Sequence, residues 1–448
     1  MTAPLGGAPA DERAGGDEAP PTRLAWYTLG VLTIAYTVSL VDRKLPFILA
    51  DSIKRDLNLS DTQLGLVTGA MFAIVYATVA VPIATLADRT SRKRLIAAAV
   101  FAWSALTAAG GLAQNFWQLA STRMGVAVGE SVLTPSGHSM IADLFANRYR
   151  ARAIAIYFLG GQLGILIGLA VGGWINEMAD WRVAMLLLGV PGILLTLLIV
   201  FTLKEPTRIE RQKKAAAEPS PPVLQVIWMM ARQPTLIHLV IASTLASAAS
   251  GGLQAFLPSH VVRTFHMGTA SIGLTYGLAM GLAGFTGVLL GGVVGDWLRR
   301  KSPWKALGFV GIGEAIGVPC IALAVLAPSY PLFLVLVFLS HTGGSFSTGP
   351  TYATLQSLMR SSTHARATAI FLFCVSGMGL AMGPLVTGMM SDAMSSMGAQ
   401  ASLQTALLIL AIPKLWASAH YMLSAWCLRR HDRVAEPAPG GERGEAPI

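Results

Sequence analysis

Charge is scarce in this chain: Asp, Glu, Lys and Arg make up 12% of its 448 residues, against 53% hydrophobic residues. That balance exceeds what a water-soluble core requires and excludes an ordinary soluble globular fold. Cysteine is scarcer still. Cys320, Cys374 and Cys427 all fall inside apolar stretches, so no disulfide framework is expected and redox chemistry is set aside. No phosphate-binding loop of a primary pump occurs, no nucleophile with a matched base, and no His/Asp/Glu grouping at metal-ligand spacing. The chain is therefore expected not to be an enzyme and to carry no cofactor and no metal. A channel would need a pore built by symmetry or a filter loop, and neither is visible.

What the sequence has in abundance is long apolar runs. Twelve of them begin near Leu24, Thr62, Leu95, Phe116, Ala153, Trp181, Thr235, Thr269, Lys305, Tyr330, Ala367 and Leu403, each near the roughly 20 residues that cross hydrocarbon at 1.5 Å per residue. The expected fold is an all-α membrane protein of twelve transmembrane helices. Residues 1–22, rich in Ala, Gly, Pro and acids with no apolar block, read as a disordered cytoplasmic tail and not as a signal peptide. Residues 23–203 and 235–428 form two six-helix bundles, 204–234 a cytoplasmic linker, and 429–448 a second tail. Within the linker, PVLQVIWMM from Pro222 suits either a short interfacial amphipathic helix or a simple tether.

Cations set the orientation. Arg89, Arg92, Lys93 and Arg94 follow span 2; Arg148, Arg150 and Arg152 follow span 4; Arg299, Arg300 and Lys301 follow span 8. The opposite loops are nearly bare, with Lys54, Arg55, Arg182 and Arg263 as the main exceptions, so both termini face the cytoplasm. Topology and contact with anionic membrane lipid account for the net charge of +10, and nucleic acid is not an expected partner.

The two halves repeat. ATLADRTSRKR from Ala84 corresponds to GVVGDWLRRK from Gly292, and RARAIAI from Arg150 to HARATAI from His364, in the same order. On these residues the chain resembles the major facilitator superfamily, a family of two stacked six-helix repeats. The family's loop after span 2 is usually Gly-x-x-x-Asp-Arg-x-Gly-Arg-Arg/Lys. Here Ala84 and Ser91 replace the glycines, while Asp88, Arg89, Arg92 and Lys93 fit. The resemblance implies that Asp88, Arg89, Arg92 and, in the second half, Asp296 latch a conformation through charge and helix-dipole contacts. Span 5 carries LGILIGLAVGG from Leu163, close to a glycine motif associated with antiport, but Leu169 stands where proline is expected. Span 11 has the proline, Pro384, in GLAMGPLVTG. Small residues at this spacing mainly let helices approach closely.

Ionisable side chains at hydrocarbon depth carry the strongest functional signal, because each is costly there unless paired or facing water. SLVDRKLPF on span 1 puts Asp42 and Arg43 in the outer third, and Arg123 on span 4 lies at a similar depth. Glu130, seven residues on, shares its face about 10 Å deeper. VDRKLPF together with RMGVAVGES on span 4 is similar to the spinster branch of the superfamily, whose members transport lysophospholipids and sphingosine 1-phosphate. The resemblance implies that spans 1, 4, 7 and 10 line a central cavity and that Arg43, Arg123 and Glu130 meet a lipid head group. Asp42 and Glu130 against Arg43 and Arg123 sum to zero, so protonating either acid leaves a positive site that holds anions more tightly. Asp42 and Glu130 are thus the expected proton-responsive groups. In the second half His341 and Tyr352 of span 10 are expected to line the facing wall. Glu314 on span 9 and Lys414 on span 12 sit at comparable depths, and whether they pair is left open; the resemblance places those spans at the periphery, which implies a structural ion pair over transport chemistry.

The expected function is proton-coupled secondary transport of an amphipathic anionic lipid by a monomer in a bacterial inner membrane. A polyspecific drug or organic-anion carrier is the alternative.

Overall fold

The structure is a computed structural model that describes residues 20–205, 221–360 and 363–435. Among them are helices and no strand, as lipid demands of a chain that must satisfy its own backbone. Span 1 is Arg23–Leu57, capped at its start by the Thr22 hydroxyl and closed by Asn58 in the left-handed conformation, φ 52°. Span 2 covers 61–89, opened by a capping box between Ser60 and Gln63 and carrying a π-turn at Leu66–Ala70. Span 3 is Arg92–Gly110 and span 4 is Phe116–Glu130 followed by Leu133–Leu144. Spans 5 and 6 are Asn147–Met178 and Trp181–Thr202.

After the linker helix Val223–Ala231 come span 7, Pro234–Phe265, span 8, Thr269–Lys301, and span 9, Pro303–Val325. Span 10 is Tyr330–Ser345 continued by Thr348–Leu358. Span 11 covers 364–393 with a π-turn at Phe373–Gly379, and span 12 is Ala399–Ile409 continued by Ala411–Ala435. Among the described residues, ten helices are long and apolar enough to cross a membrane by themselves. Span 3, which opens on three cations, and the interrupted span 4, which holds Arg123 and Glu130, complete the twelve. The breaks in spans 4 and 10 fall at corresponding places in the two halves, as expected of a repeated unit.

By internal contacts the chain divides into two units, and the boundary departs from the linker. The first unit holds spans 1 to 6 together with Gln254–Gly281, the outer ends of spans 7 and 8 and the turn between them. The second holds the linker helix, the remainder of spans 7 and 8, and spans 9 to 12. Polar and backbone contacts explain the shift. Arg263 at the outer end of span 7 donates to Asp51 at 2.9 Å and to Asp61 at 3.1 Å. The Asn176 amide donates to the Thr269 hydroxyl, which donates in turn to the Gly173 carbonyl. At this seam of spans 5 and 8 a Cβ on Gly273 would sit 2.1 Å from the Leu169 carbonyl oxygen, so the two backbones touch there.

The four outer cations that departed from the charge bias are all paired. Lys54 meets Asp61, Arg55 meets Asp51, Arg182 meets Asp56, and Arg263 bridges Asp51 and Asp61. The glycines of spans 5 and 11 lie where backbones touch: a Cβ on Gly164 would be 2.4 Å from the Thr37 carbonyl oxygen, and one on Gly383 2.1 Å from that of Ala248. The linker helix is pinned to the second unit by Val226 and Met230 while Leu224, Ile227 and Trp228 stay exposed. Residues 1–19 and 436–448 of the expected tails, and 206–220 of the linker, lie outside the described residues.

Candidate functional site

Three consecutive charged residues on span 1 make the core of the site. Successive helical residues turn by about 100°, so Asp42, Arg43 and Lys44 face three different neighbours. Asp42 is fully buried against Trp103 and Thr107 of span 3. Arg43 reaches spans 2 and 4: its Nη2 and Nε donate to the same Glu130 oxygen, Oε2, at 2.6 and 3.0 Å. Lys44 reaches span 7, donating to Gln254 Oε1 at 2.6 Å.

Pro46 explains how Arg123 joins them. A proline inside a helix has no N–H for the carbonyl four residues back, which here belongs to Asp42. The Arg123 Nη1 occupies that acceptor at 3.2 Å. Thus span 4 is fastened to span 1 through a backbone group that the local sequence has left open.

Aromatic rings from span 2 fill the space between the guanidiniums. Arg43 lies 4.9 Å from the Phe72 ring centre and 5.0 Å from that of Tyr76, and Arg123 lies 5.4 Å from Phe72. Glu130 Oε2 also accepts from the Ser39 hydroxyl at 3.0 Å. Its other oxygen, Oε1, both Asp42 carboxylate oxygens, and Arg123 Nε and Nη2 are buried with no hydrogen-bond partner among the described residues. The cluster therefore holds buried acceptors and donors side by side.

The expected quartet Asp42, Arg43, Arg123 and Glu130 comes together, but with pairings that differ from simple adjacency in depth. Glu130 takes Arg43, while Asp42 points away toward span 3. Lys44, Phe72 and Tyr76 are additional members. Lys44 stood in plain view in the VDRKLPF run, and counting it changes the formal balance: two acids against three cations leave +1. The two aromatics gave no signal, since rings in apolar runs are ordinary packing residues.

The second-half candidates lie apart from one another. His341, half-buried, sits before the break in span 10, where its carbonyl accepts from Ser345. Tyr352, also half-buried, lies beyond that break and packs edge-on against Phe371 at 5.5 Å. The Glu314–Lys414 pair forms at 2.5 Å between spans 9 and 12.

Among the gate candidates, the Asp88 and Arg89 side chains lie outside the described residues. Arg92 is buried and pairs with Asp143 at 2.5 Å and Glu205 at 3.0 Å, clamping the cytoplasmic ends of spans 3, 4 and 6 within one bundle. Asp296 is exposed and meets Arg299 of its own helix at 3.5 Å. Outside the membrane, Glu205 is held below the usual carboxylate range. Partial burial alone would raise it, but the Lys93 N–H at 2.8 Å, the Ser91 hydroxyl at 2.7 Å and Arg92 together outweigh that effect.

Comparison with known proteins bears on this architecture. The family model described as Major Facilitator Superfamily matches residues 32–384. An MFS-type efflux pump of Mycolicibacterium smegmatis is 33% identical over 413 residues, covering 91% of this chain and 94% of its own length. The sphingosine-1-phosphate transporter SPNS2 of Xenopus tropicalis is 23% identical over 394 residues, covering 84% and 75%. Among solved structures, a bacterial homolog to the human lysosomal transporter Spinster, inward-facing and unoccupied, superposes with a TM-score of 0.82 at 25% identity, over 92% of this chain and 99% of that one.

Proposed function

The chain belongs to the major facilitator superfamily, a multi-pass integral membrane transporter related to the spinster proteins, and from that premise we propose that it moves an amphipathic anionic lipid by alternating access coupled to protons. The substrate class is that of lysophospholipids and sphingosine 1-phosphate. The observation that carries this reading is the Arg43–Glu130 pair beside the unspent groups of Asp42 and Arg123.

The chemistry follows from the cost of burying charge. Arg43 cannot turn to a substrate oxyanion while Glu130 is ionised, because the buried carboxylate would lose its counter-charge at about 3–5 kcal/mol. Protonating Glu130 removes that penalty and frees a guanidinium fork, which suits a phosphate better than an ammonium does. Asp42 acts in the same sense on Arg123. Proton and anion occupancy are thereby linked through a shared cation. His341 and Tyr352 are assigned to the substrate path from the second half. Asp88, Arg89, Arg92 and Asp296 are assigned to conformational latching at the cytoplasmic side.

The test is transport by purified protein in liposomes across the near-neutral pH range. Asp42→Asn is expected to flatten the pH dependence while leaving lipid binding in place. A pH profile identical to that of the unaltered protein would remove Asp42 from the mechanism. The relationship to the mycobacterial efflux pump favours a second reading, a polyspecific drug carrier. Uptake of a cationic dye, with no movement of single-chain phospholipid, would select it.

A further inference from the structure

Lys44, on span 1, is a cation of the cluster that rests on a neutral side chain and not on an acid. Its ammonium donates to the neutral amide oxygen of Gln254 and lies 4.7 Å from the centre of the Phe47 ring. Among the described residues no carboxylate oxygen comes within ion-pair distance of it, although the residue is only 8% exposed. Arg43 is engaged by Glu130, and Arg123 stands between the Asp42 carbonyl and two carboxylates. A buried ammonium held by a dipole and a ring is poorly compensated, and exchanging the amide for an oxyanion improves its pairing without orphaning any acid. The same exchange at Arg43 strands Glu130. For an anion arriving at an ionised cluster, Lys44 is therefore the less costly of the two span 1 cations to engage.

We propose that Lys44 is a head-group-binding residue that reads the charge of the substrate, displacing Gln254 when a phosphate monoester arrives and gaining nothing from a zwitterionic head group. The inference rests on the reading that this cluster receives the substrate head group. It adds a residue and a selectivity to that reading: single-chain amphiphiles ending in a phosphate monoester, which carry about 1.5–2 negative charges at pH 7, are preferred over those ending in phosphocholine. Lys44 and Gln254 both lie in the first unit, so displacement also releases the outer end of span 7 from span 1. Arg263 then remains to hold that end.

The experiment measures binding of dodecyl phosphate and of dodecylphosphocholine to the purified full chain in maltoside micelles. The unaltered protein is expected to prefer the phosphate monoester. Lys44→Met and, separately, Gln254→Glu are each expected to reduce that preference by about tenfold or more, the size of one charge-assisted hydrogen bond. Lys44→Arg is expected to retain it. Gln254→Glu is the decisive variant, because it leaves Lys44 in place and supplies the missing acid; a merely structural lysine would be better held by it, with no change in ligand preference. An unaltered protein without preference, or variants that weaken both ligands equally, overturns the proposal. Failure of the liposome assay to move any lipid would instead count against the transport reading and leave this binding ratio to be judged separately.

Discussion

Removing one member of the Glu314–Lys414 pair is expected to destabilise the protein, while removing both is not. The two side chains are 3% and 9% exposed and meet at 2.5 Å. Glycines wall them in: a Cβ on Gly344 would lie 3.3 Å from Glu314 Oε1 and 3.5 Å from Lys414 Nζ, and one on Gly317 would lie 2.7 Å from Lys414 Cε. A lone charge left there has little room for hydration, so Lys414→Met or Glu314→Leu alone should cost about 3–5 kcal/mol. With an unfolding entropy near 2 cal/mol/K per residue over this length of chain, each kcal/mol corresponds to roughly 1 °C, giving a melting temperature about 3–5 °C lower. The Glu314→Leu, Lys414→Met double variant replaces the pair by apolar volume and should recover most of that loss. Thermal unfolding of the four proteins in one detergent gives the coupling energy directly. Single variants as stable as the original, or losses that simply add in the double variant, would refute the reasoning. A loss of transport with stability intact would place the pair in the transport cycle.

Arg92→Met should lower the melting temperature by a comparable amount, because Asp143, with a side chain fully buried, loses its counter-charge; adding Asp143→Leu should restore it if the clamp acts within its own bundle. Glu205 gives a pH signature. A carboxyl held low in the folded state contributes stability that is fully present above its ordinary value near 4.5 and is lost as pH falls through its depressed folded value, so the stability gap between the original and Glu205→Gln should be open at neutral pH and close only in that acid range. A gap that widened on acidification would refute the assignment.

The fold was legible because lipid leaves few choices: apolar length and the placement of cations dictated span number and orientation, and both depend on residues in sequence order. The site was legible in membership and not in pairing. Asp42, Arg43, Arg123 and Glu130 announce themselves by being charged at depth, but which acid meets which base depends on helix rotation, and a turn of 100° separates partners that are adjacent in sequence. The contact boundary between the units was hidden for a related reason. It is set by Arg263, Asn176 and Gly273 at the outer ends of spans that belong, by repeat, to different halves. Arg263 was visible only as a cation on the wrong side of the membrane, and its acids, Asp51 and Asp61, lie far away in sequence.

Those outer pairs and the inner cluster obey one electrostatic rule. Where a cation's role is to hold helices together, it meets an acid: Arg263 with Asp51 and Asp61, Arg92 with Asp143, Lys414 with Glu314. Such pairs resist exchange, since an incoming anion must first separate two buried charges. At the span 1 cluster the rule is relaxed in three ways: the Asp42 carboxylate faces Trp103 and Thr107 and forms no ion pair among the described residues, Arg123 leans on a carbonyl that Pro46 left open, and Lys44 leans on an amide. A buried group held by a dipole has more to gain from a real counter-ion than one already paired. The imbalance of +1 is thus concentrated where partners are weakest. That concentration, more than the number of charges, separates the proposed anion site from the ion pairs that hold helices together.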